Sequence, residues 1–376
     1  MSNKITFSQK EWDELQKKYT QDQIIKIISD RIVKHNIKFP FRKYTKKELD
    51  LDYKSLKELD TSLFIEKGNW FTRFKYSKFK LSNKYIKDCK IGCKTSNNYM
   101  QDIRLSTRCT NARKGAPVEL WKDKTKHPLV LKRLWCLKYD KLDEQSILGI
   151  FRMYTSTASQ FKPPVAKTIY DNYLSGKNNK VLDISAGWGD RLVGALSCSK
   201  ISSYTGIDPN SKLHPRYKKI IKHYDPLSST KINLIEDAAE DCGSKVFSKN
   251  KYNLVFTSPP YFNAEQYNGG MDKQTWCRYK TDTDWLTKFL FPVLEKCWNS
   301  LLPGGKLIIN ISDTRCNHER VKICDPMVNF VSKNLKPDKF ECIGMRMSIA
   351  PGQSDRLDRG VDDNIFCEPV FIWTKK

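Results

Sequence analysis

The residues best suited to chemistry stand in one short run, Thr257-Ser258-Pro259-Pro260-Tyr261-Phe262. The apolar residues 253–256 before it predict a short buried strand, and a Pro-Pro pair ends such a strand because proline has no donor for a neighbouring one. Strand termination alone leaves the flanking residues unexplained. Ser258 Oγ and the Pro259 carbonyl are two acceptors close together, the second stiffened by the adjacent prolines, and Tyr261 adds a flat face. Two fixed acceptors suit a planar amino group whose lone pair is delocalised into a ring, as in the exocyclic amines of cytosine and adenine. Such a poor nucleophile must be held by its protons and oriented before it reacts. The flat face suits stacking of a base extruded from a duplex. Ser258, Pro259, Pro260 and Tyr261 are therefore the catalytic candidates.

These residues need elements to position them and a partner for the amine. About 70 residues upstream, residues 180–184 predict a second buried strand that enters Ser185-Ala186-Gly187-Trp188-Gly189-Asp190-Arg191 and a helix over 192–198. Glycines in such a turn let the backbone approach a bound cofactor closely. The third glycine of the dinucleotide fingerprint is missing. Asp208 ends the next predicted strand, 204–207, where a carboxylate accepts from ribose hydroxyls. Asp237 follows a third strand, 232–235, and has an acceptor for an adenine amino group. By itself the glycine turn also fits another nucleotide bound to a Rossmann-like unit.

The Asp183-x-x-x-Gly187-x-Gly189 turn, the two strand-end acids and the Ser258-Pro259-Pro260-Tyr261 run, in this order, resemble the S-adenosylmethionine-dependent DNA amino-methyltransferases of the N4-cytosine and N6-adenine type. The likeness covers residues 151–376 and extends to predicted methyltransferases of phages and large DNA viruses. It implies an α/β fold, a Rossmann-like doubly wound methyltransferase sheet with a C-terminal hairpin. It also implies S-adenosylmethionine as cofactor and DNA, in preference to RNA, as the nucleic-acid partner. Gly187 and Gly189 would pack on the adenosyl group, with Ser185 in the same turn. Asp183 would orient the methionine part, Asp208 take the ribose and Asp237 the adenine. Phe161, in the 158–164 stretch, falls where these enzymes carry a further methionine-binding motif. Serine at the first catalytic position is the more frequent choice of the cytosine enzymes, so N4-cytosine is favoured. No metal is required. An RNA base methyltransferase and a cofactor-binding nucleic-acid protein without turnover are the alternatives.

Charge organises the rest. The net charge is +25 and the isoelectric point about 9.5, which points to a polyanionic partner. Residues 1–130 hold 30 Lys and Arg against 15 Asp and Glu, and are expected to be a basic N-terminal α+β extension that recognises nucleic acid, with 131–376 as the catalytic domain. Capping boxes at Ser8/Glu11 and Thr45/Glu48 predict helices within 8–60. Over 67–114 cations alternate with aromatics. Trp70, Arg73, Lys75, Lys78 and Lys80 are the candidates for stacking on bases and neutralising phosphates, against the reading of a basic face over an aromatic core. The twelve cysteines read as reduced thiols. Cys89, Cys93 and Cys109 with His127 have the residue types of a zinc site but not its paired spacing. Without an apolar run of membrane-spanning length, a soluble intracellular chain is expected, with no membrane partner.

Overall fold

In the apolar strands of the second half, side chains are buried on both faces, as parallel strands covered by crossover helices require. A computed structural model of the chain describes residues 5–109, 115–136, 141–316, 319–347 and 365–376. Ten strands form its main sheet: β1 (Ile65–Lys67), β2 (Trp70–Phe71), β3 (Lys84–Ile86), β4 (Asn179–Asp183), β5 (Ile201–Ile207), β6 (Lys231–Ile235), β7 (Tyr252–Thr257), β8 (Leu301–Asn310), β9 (Lys339–Arg346) and β10 (Ile365–Thr374). Their order is β1-β3-β9-β10-β8-β7-β4-β5-β6, with β2 paired to the start of β10. From β6 to β8 the strands are parallel and run in the order third, second, first, fourth, fifth. This is the doubly wound Rossmann-like order, whose switch point lies between β4 and β7 and whose ligands bind beyond the carboxyl ends of the strands.

Helices Asp190–Leu196, His214–Tyr224 and Phe291–Ser300 lie in the crossovers, and Pro163–Tyr173 precedes β4. Its two prolines occupy the first turn, where no amide donor is needed. The expected C-terminal hairpin is present: β10 runs antiparallel to β9, from Lys339 opposite Thr374 to Arg346 opposite Cys367. It is also antiparallel to β8. The segment between the hairpin strands, residues 348–364, lies outside the described residues.

The chain divides into two compact units, and the division is not a single cut at residue 130. Met1–Tyr44 with Met100–Ser159 form one; Thr45–Tyr99 with Gln160–Lys376 form the other. The first holds the helices Gln9–Lys18, Gln21–Lys34, Pro117–Lys122, His127–Leu131 and Glu144–Tyr154 and the short strand Arg108–Cys109, around Trp12, Ile24, Ile28, Trp121, Leu131 and Phe151. The Ser8/Glu11 box caps its first helix and a further box, Thr20/Gln23, caps its second. The Thr45/Glu48 box opens Lys46–Lys57 in the second unit. That unit also takes β1 and β3, which extend its sheet because Tyr85 and Ile86 pair in parallel with Gly344 and Met345.

No group of three His, Cys, Asp or Glu among the described residues is placed to hold a metal ion. His127 is buried, its Nε2 2.9 Å from the Trp121 carbonyl and its Nδ1 2.9 Å from Ser29 Oγ. No helix among the described residues is long and apolar enough to cross a membrane.

The aromatics of the basic stretch correct one expectation. Trp70 is buried in the core, in register with Ile365 on β10, and its Nε1 donates to the Ser82 carbonyl at 2.7 Å. It is not available for stacking on a base. Phe74 is buried, Tyr76 and Phe79 pack on the same core, and between them Arg73, Lys75, Lys78 and Lys80 are exposed. Trp70→Ala is therefore expected to destabilise the protein by about 3–5 kcal/mol through the cavity it leaves. Chemical denaturation checks this, and an unchanged midpoint would contradict the packing role.

Candidate active site

The glycine turn begins where β4 ends. Gly187 and Gly189 have φ of 58° and 82°, the left-handed region that glycine enters without a Cβ clash. The helix Asp190–Leu196 starts at once, with Gly189 as its N-cap. Gly187 N donates to Asp208 Oδ2 at 2.8 Å, and Asn210 N to Asp208 Oδ1 at 2.9 Å. The two turns that the sequence separates by 21 residues are thus tied by one carboxylate. Burial pushes the Asp208 carboxyl up to about 6, against the pull of these two backbone donors.

Asp183 does not line this surface. Its carboxylate is fully buried and held from several elements. Arg191 Nε donates to Oδ2 at 2.8 Å and Arg191 Nη2 to Oδ1 at 3.2 Å. Tyr204 Oη on β5 donates to Oδ2 at 2.7 Å, Thr257 Oγ1 on β7 to Oδ1 at 2.9 Å, and Ser185 N to Oδ1 at 3.2 Å. The expectation that Asp183 orients a ligand directly is corrected: its oxygens serve the protein. Arg191 is the residue missed. Burial alone would lower its pKa, but the Asp183 charge and hydrogen bonds outweigh this and hold it above the ordinary value. Its guanidinium also donates to the Ser185 carbonyl and lies over the Phe161 ring, 5.3 Å from the centroid. Phe161, partly exposed, meets Phe256 of β7 edge-on at 5.7 Å. The ion pair was detectable as an acid at a strand end eight residues before an arginine in the following helix.

At the carboxyl end of β7, Thr257 pairs with Ile309 of β8, so Ser258 emerges beside Asn310. Ser258 and Tyr261 are partly buried and Pro259 is buried. Phe262 takes φ 56°, an unfavourable backbone for a bulky residue, and is held in the core against Trp285 with centroids 6.5 Å apart. The Tyr261 ring packs on the core, and its hydroxyl donates to Glu368 Oε2 at 3.2 Å. Glu368 lies on β10, which returns antiparallel beside β8 and brings a carboxylate to the Ser258–Tyr261 run. No sequence pattern pointed to it, because its place depends on hairpin register.

Residues 263–280 form a strap across the strand-end turns. Tyr267 meets Trp188 of the glycine turn edge-on at 5.8 Å. Gly269 and Gly270 lie against Asn210 and Pro209. Lys273 Nζ donates to Asp237 Oδ1 at 2.8 Å, and Arg278 pairs with Glu240 and Asp241. The Lys273 hydrogen bond, more than any other influence, holds the Asp237 carboxyl below its usual range. Beneath the strap Asn210 is buried, and its Nδ2 has no hydrogen-bond partner among the described residues.

No protein-family model matches this chain, and no curated protein matches it. Among solved structures it is similar to a SAM-dependent O-methyltransferase from Thermotoga maritima, at 12% identity and a TM-score of 0.36, over 58% of this chain and 66% of that one. The chain thus spans just under two thirds of that relative's length. It is similar to an rRNA methylase from Streptococcus thermophilus, at 12% identity and TM-score 0.34, over 57% of this chain and 97% of the other. A tRNA methyltransferase from Aquifex aeolicus shows 13% identity and TM-score 0.33 over 58% and 70%.

The strap depends on a glycine. A Cβ at Gly270 would stand 1.9 Å from the Pro209 carbonyl oxygen, at a φ of 60°. Gly270→Ala is expected to lift the strap while the sheet keeps its fold. Hydrogen exchange over 263–280 should rise at least about tenfold, equivalent to 1.4 kcal/mol of lost local protection. Unaltered exchange would show that the close approach does not fix the strap.

Proposed function

We propose that the chain transfers a methyl group from S-adenosylmethionine to the exocyclic amino group of a nucleic-acid base, with N4 of cytosine in DNA as the favoured target. One observation carries the reading. Thr257, the residue before Ser258, donates to Asp183 at the head of the glycine turn across the switch point of the sheet, so the catalytic run and the cofactor turn share one rigid support. Fixed relative position is what an in-line displacement needs.

The residues present fit the cofactor. The buried, unpartnered Asn210 Nδ2 leaves a donor beside Asp208, and the two left-handed glycines carry no side chain there. Asp208 would take the ribose hydroxyls, Asp237 and Asn210 the adenine side, Ser185, Gly187 and Gly189 the adenosyl backbone, and Phe161 the methionine end. When bound, the cofactor supplies a sulfonium methyl open to displacement. Ser258 Oγ and the Pro259 carbonyl accept from the amine and aim its lone pair at that methyl, and the Tyr261 ring offers a face to the base.

The exposed side of Arg73, Lys75, Lys78 and Lys80 supplies the electrostatic footprint for the polyanion. It belongs to the same unit as the catalytic run, and the other basic part of residues 1–130 adds to recognition.

Incubation with methyl-labelled cofactor and separate DNA and RNA pools, followed by digestion to nucleosides, tests this function. Label on N4-methylcytosine from DNA is the expected result, and Ser258→Ala should reduce it by about 100-fold or more while the variant stays folded. Label on RNA alone would transfer the reading to an RNA base, and label on neither polymer would overturn it. Charge reversal at Arg73, Lys75, Lys78 and Lys80 should weaken binding and flatten the salt slope by about 0.7–0.9 for each phosphate that is no longer neutralised. A slope equal to that of the unaltered chain would remove this face from the interface.

A further inference from the structure

A methylated amine must lose a proton, and serine is a poor final acceptor for it. A carboxylate at the first position of the catalytic run could keep that proton; the Ser258 hydroxyl can only pass it on. The groups behind Ser258 therefore matter. Tyr261 Oη donates to Glu368 Oε2 at 3.2 Å, and the Ser258 hydroxyl is near enough to the Tyr261 phenol to draw its pKa down against burial. We propose that Ser258, Tyr261 and Glu368 form a proton relay that ends on the Glu368 carboxylate, an inference that rests on the amino-methylation reading above.

The step balances. The amine nitrogen forms a bond to the methyl carbon as the carbon–sulfur bond breaks and its electron pair stays on sulfur. The nitrogen then carries the positive charge that sulfur loses. An N–H proton moves to Ser258 Oγ, the Ser258 hydroxyl proton to Tyr261 Oη, and the Tyr261 proton to Glu368. The products are a neutral methylated amine, a thioether and a protonated carboxyl, with both hydroxyls restored. No oxidant, metal or further reactant enters.

The surroundings of Glu368 suit a proton acceptor. Burial raises its carboxyl above the ordinary value, while Tyr261, the Arg73 charge and Asn310 of β8 oppose the rise and the Glu265 carboxylate adds to it. Met345 stands opposite on β9 and carries no charge. Glu265 is itself engaged by Tyr267 Oη at 2.6 Å. Burial also holds the Tyr261 phenol well above its usual range, so it stays neutral and can accept from one side and donate to the other. Base stacking requires only the Tyr261 ring, whereas the relay requires its hydroxyl.

Tyr261→Phe and Glu368→Gln separate these roles, because each keeps the shape of the side chain. In the full-length protein the pH profile of kcat should show an acid limb, with turnover rising as Glu368 ionises. Both variants should lose that limb and fall about 100-fold in kcat, with KM for the nucleic acid little changed. Independently of turnover, infrared difference titration of the Glu368 carboxyl should give a higher pKa in Tyr261→Phe than in the unaltered chain, since the phenol that stabilises the carboxylate is gone. An active unaltered chain whose Tyr261→Phe and Glu368→Gln forms keep its rate and pH profile would overturn the relay alone. So would a Glu368 titration that Tyr261→Phe does not move. An unaltered chain that methylates neither DNA nor RNA would overturn the methylation reading, and the relay with it.

Discussion

The buried carboxylate of Asp183 is the constraint on which the site depends. An ionised group with no exposure is stable only when it is paired and hydrogen-bonded, and removing one partner of such a pair costs about 3–5 kcal/mol. Its partners come from the following helix, from β5 and from β7. Of these, β7 borders the switch point of the sheet and β5 lies on the other side of β4. Satisfying one charge therefore fixes the start of the glycine turn, the Arg191 guanidinium over Phe161, and the strand end from which Ser258 emerges. An apolar residue at 183 would fill the space without specifying these relations.

A second set of contacts acts from above. The strap of residues 263–280 continues directly from the Ser258–Phe262 run and touches the glycine turn, the Pro209-Asn210 turn and Asp237 in succession. Its order along the chain follows the order of the strands beneath it, β4, β5, then β6. The left-handed Phe262 lies where the chain turns from Tyr261 into the strap, and core packing against Trp285 holds it there. The strained residue thus sits between two parts whose relative position matters most.

What was legible in the sequence follows from the range of the interactions. Strand positions, the glycine turn, the strand-end acids and the Ser258–Tyr261 run depend on local periodicity and turn chemistry, and the strands β4 to β7 lie within a few residues of where apolar runs place them. The capping boxes at Ser8 and Thr45 are local too. The rest is set by pairing across long separations. Trp70 is buried because Ile365, nearly three hundred residues away, pairs with it, and nothing near Trp70 carries that information. The same holds for Tyr85 against Gly344, which moves residues 45–99 into the unit that carries the sheet. Asp183 was legible as a strand-end acid, but its service to Arg191, Tyr204 and Thr257 depends on how three elements converge. Glu368 reaches Tyr261 only through the register of β10 against β8 and β9.

The same non-local pairing determines what the positive charge can do. Had the aromatics of residues 70–79 been exposed, the cations between them would belong to a mobile face of mixed character. Instead Tyr76 shares a hydrogen bond of 3.2 Å with Ser312, Asp325 accepts from the amides of Ser77 and Lys78, and Arg320 lies over the rings of Phe74 and Tyr76. The backbone is held against the ends of β8 and β10, so the cations project from a rigid ridge. The Arg73 charge also acts on Glu368, opposing the rise that burial causes in its carboxyl.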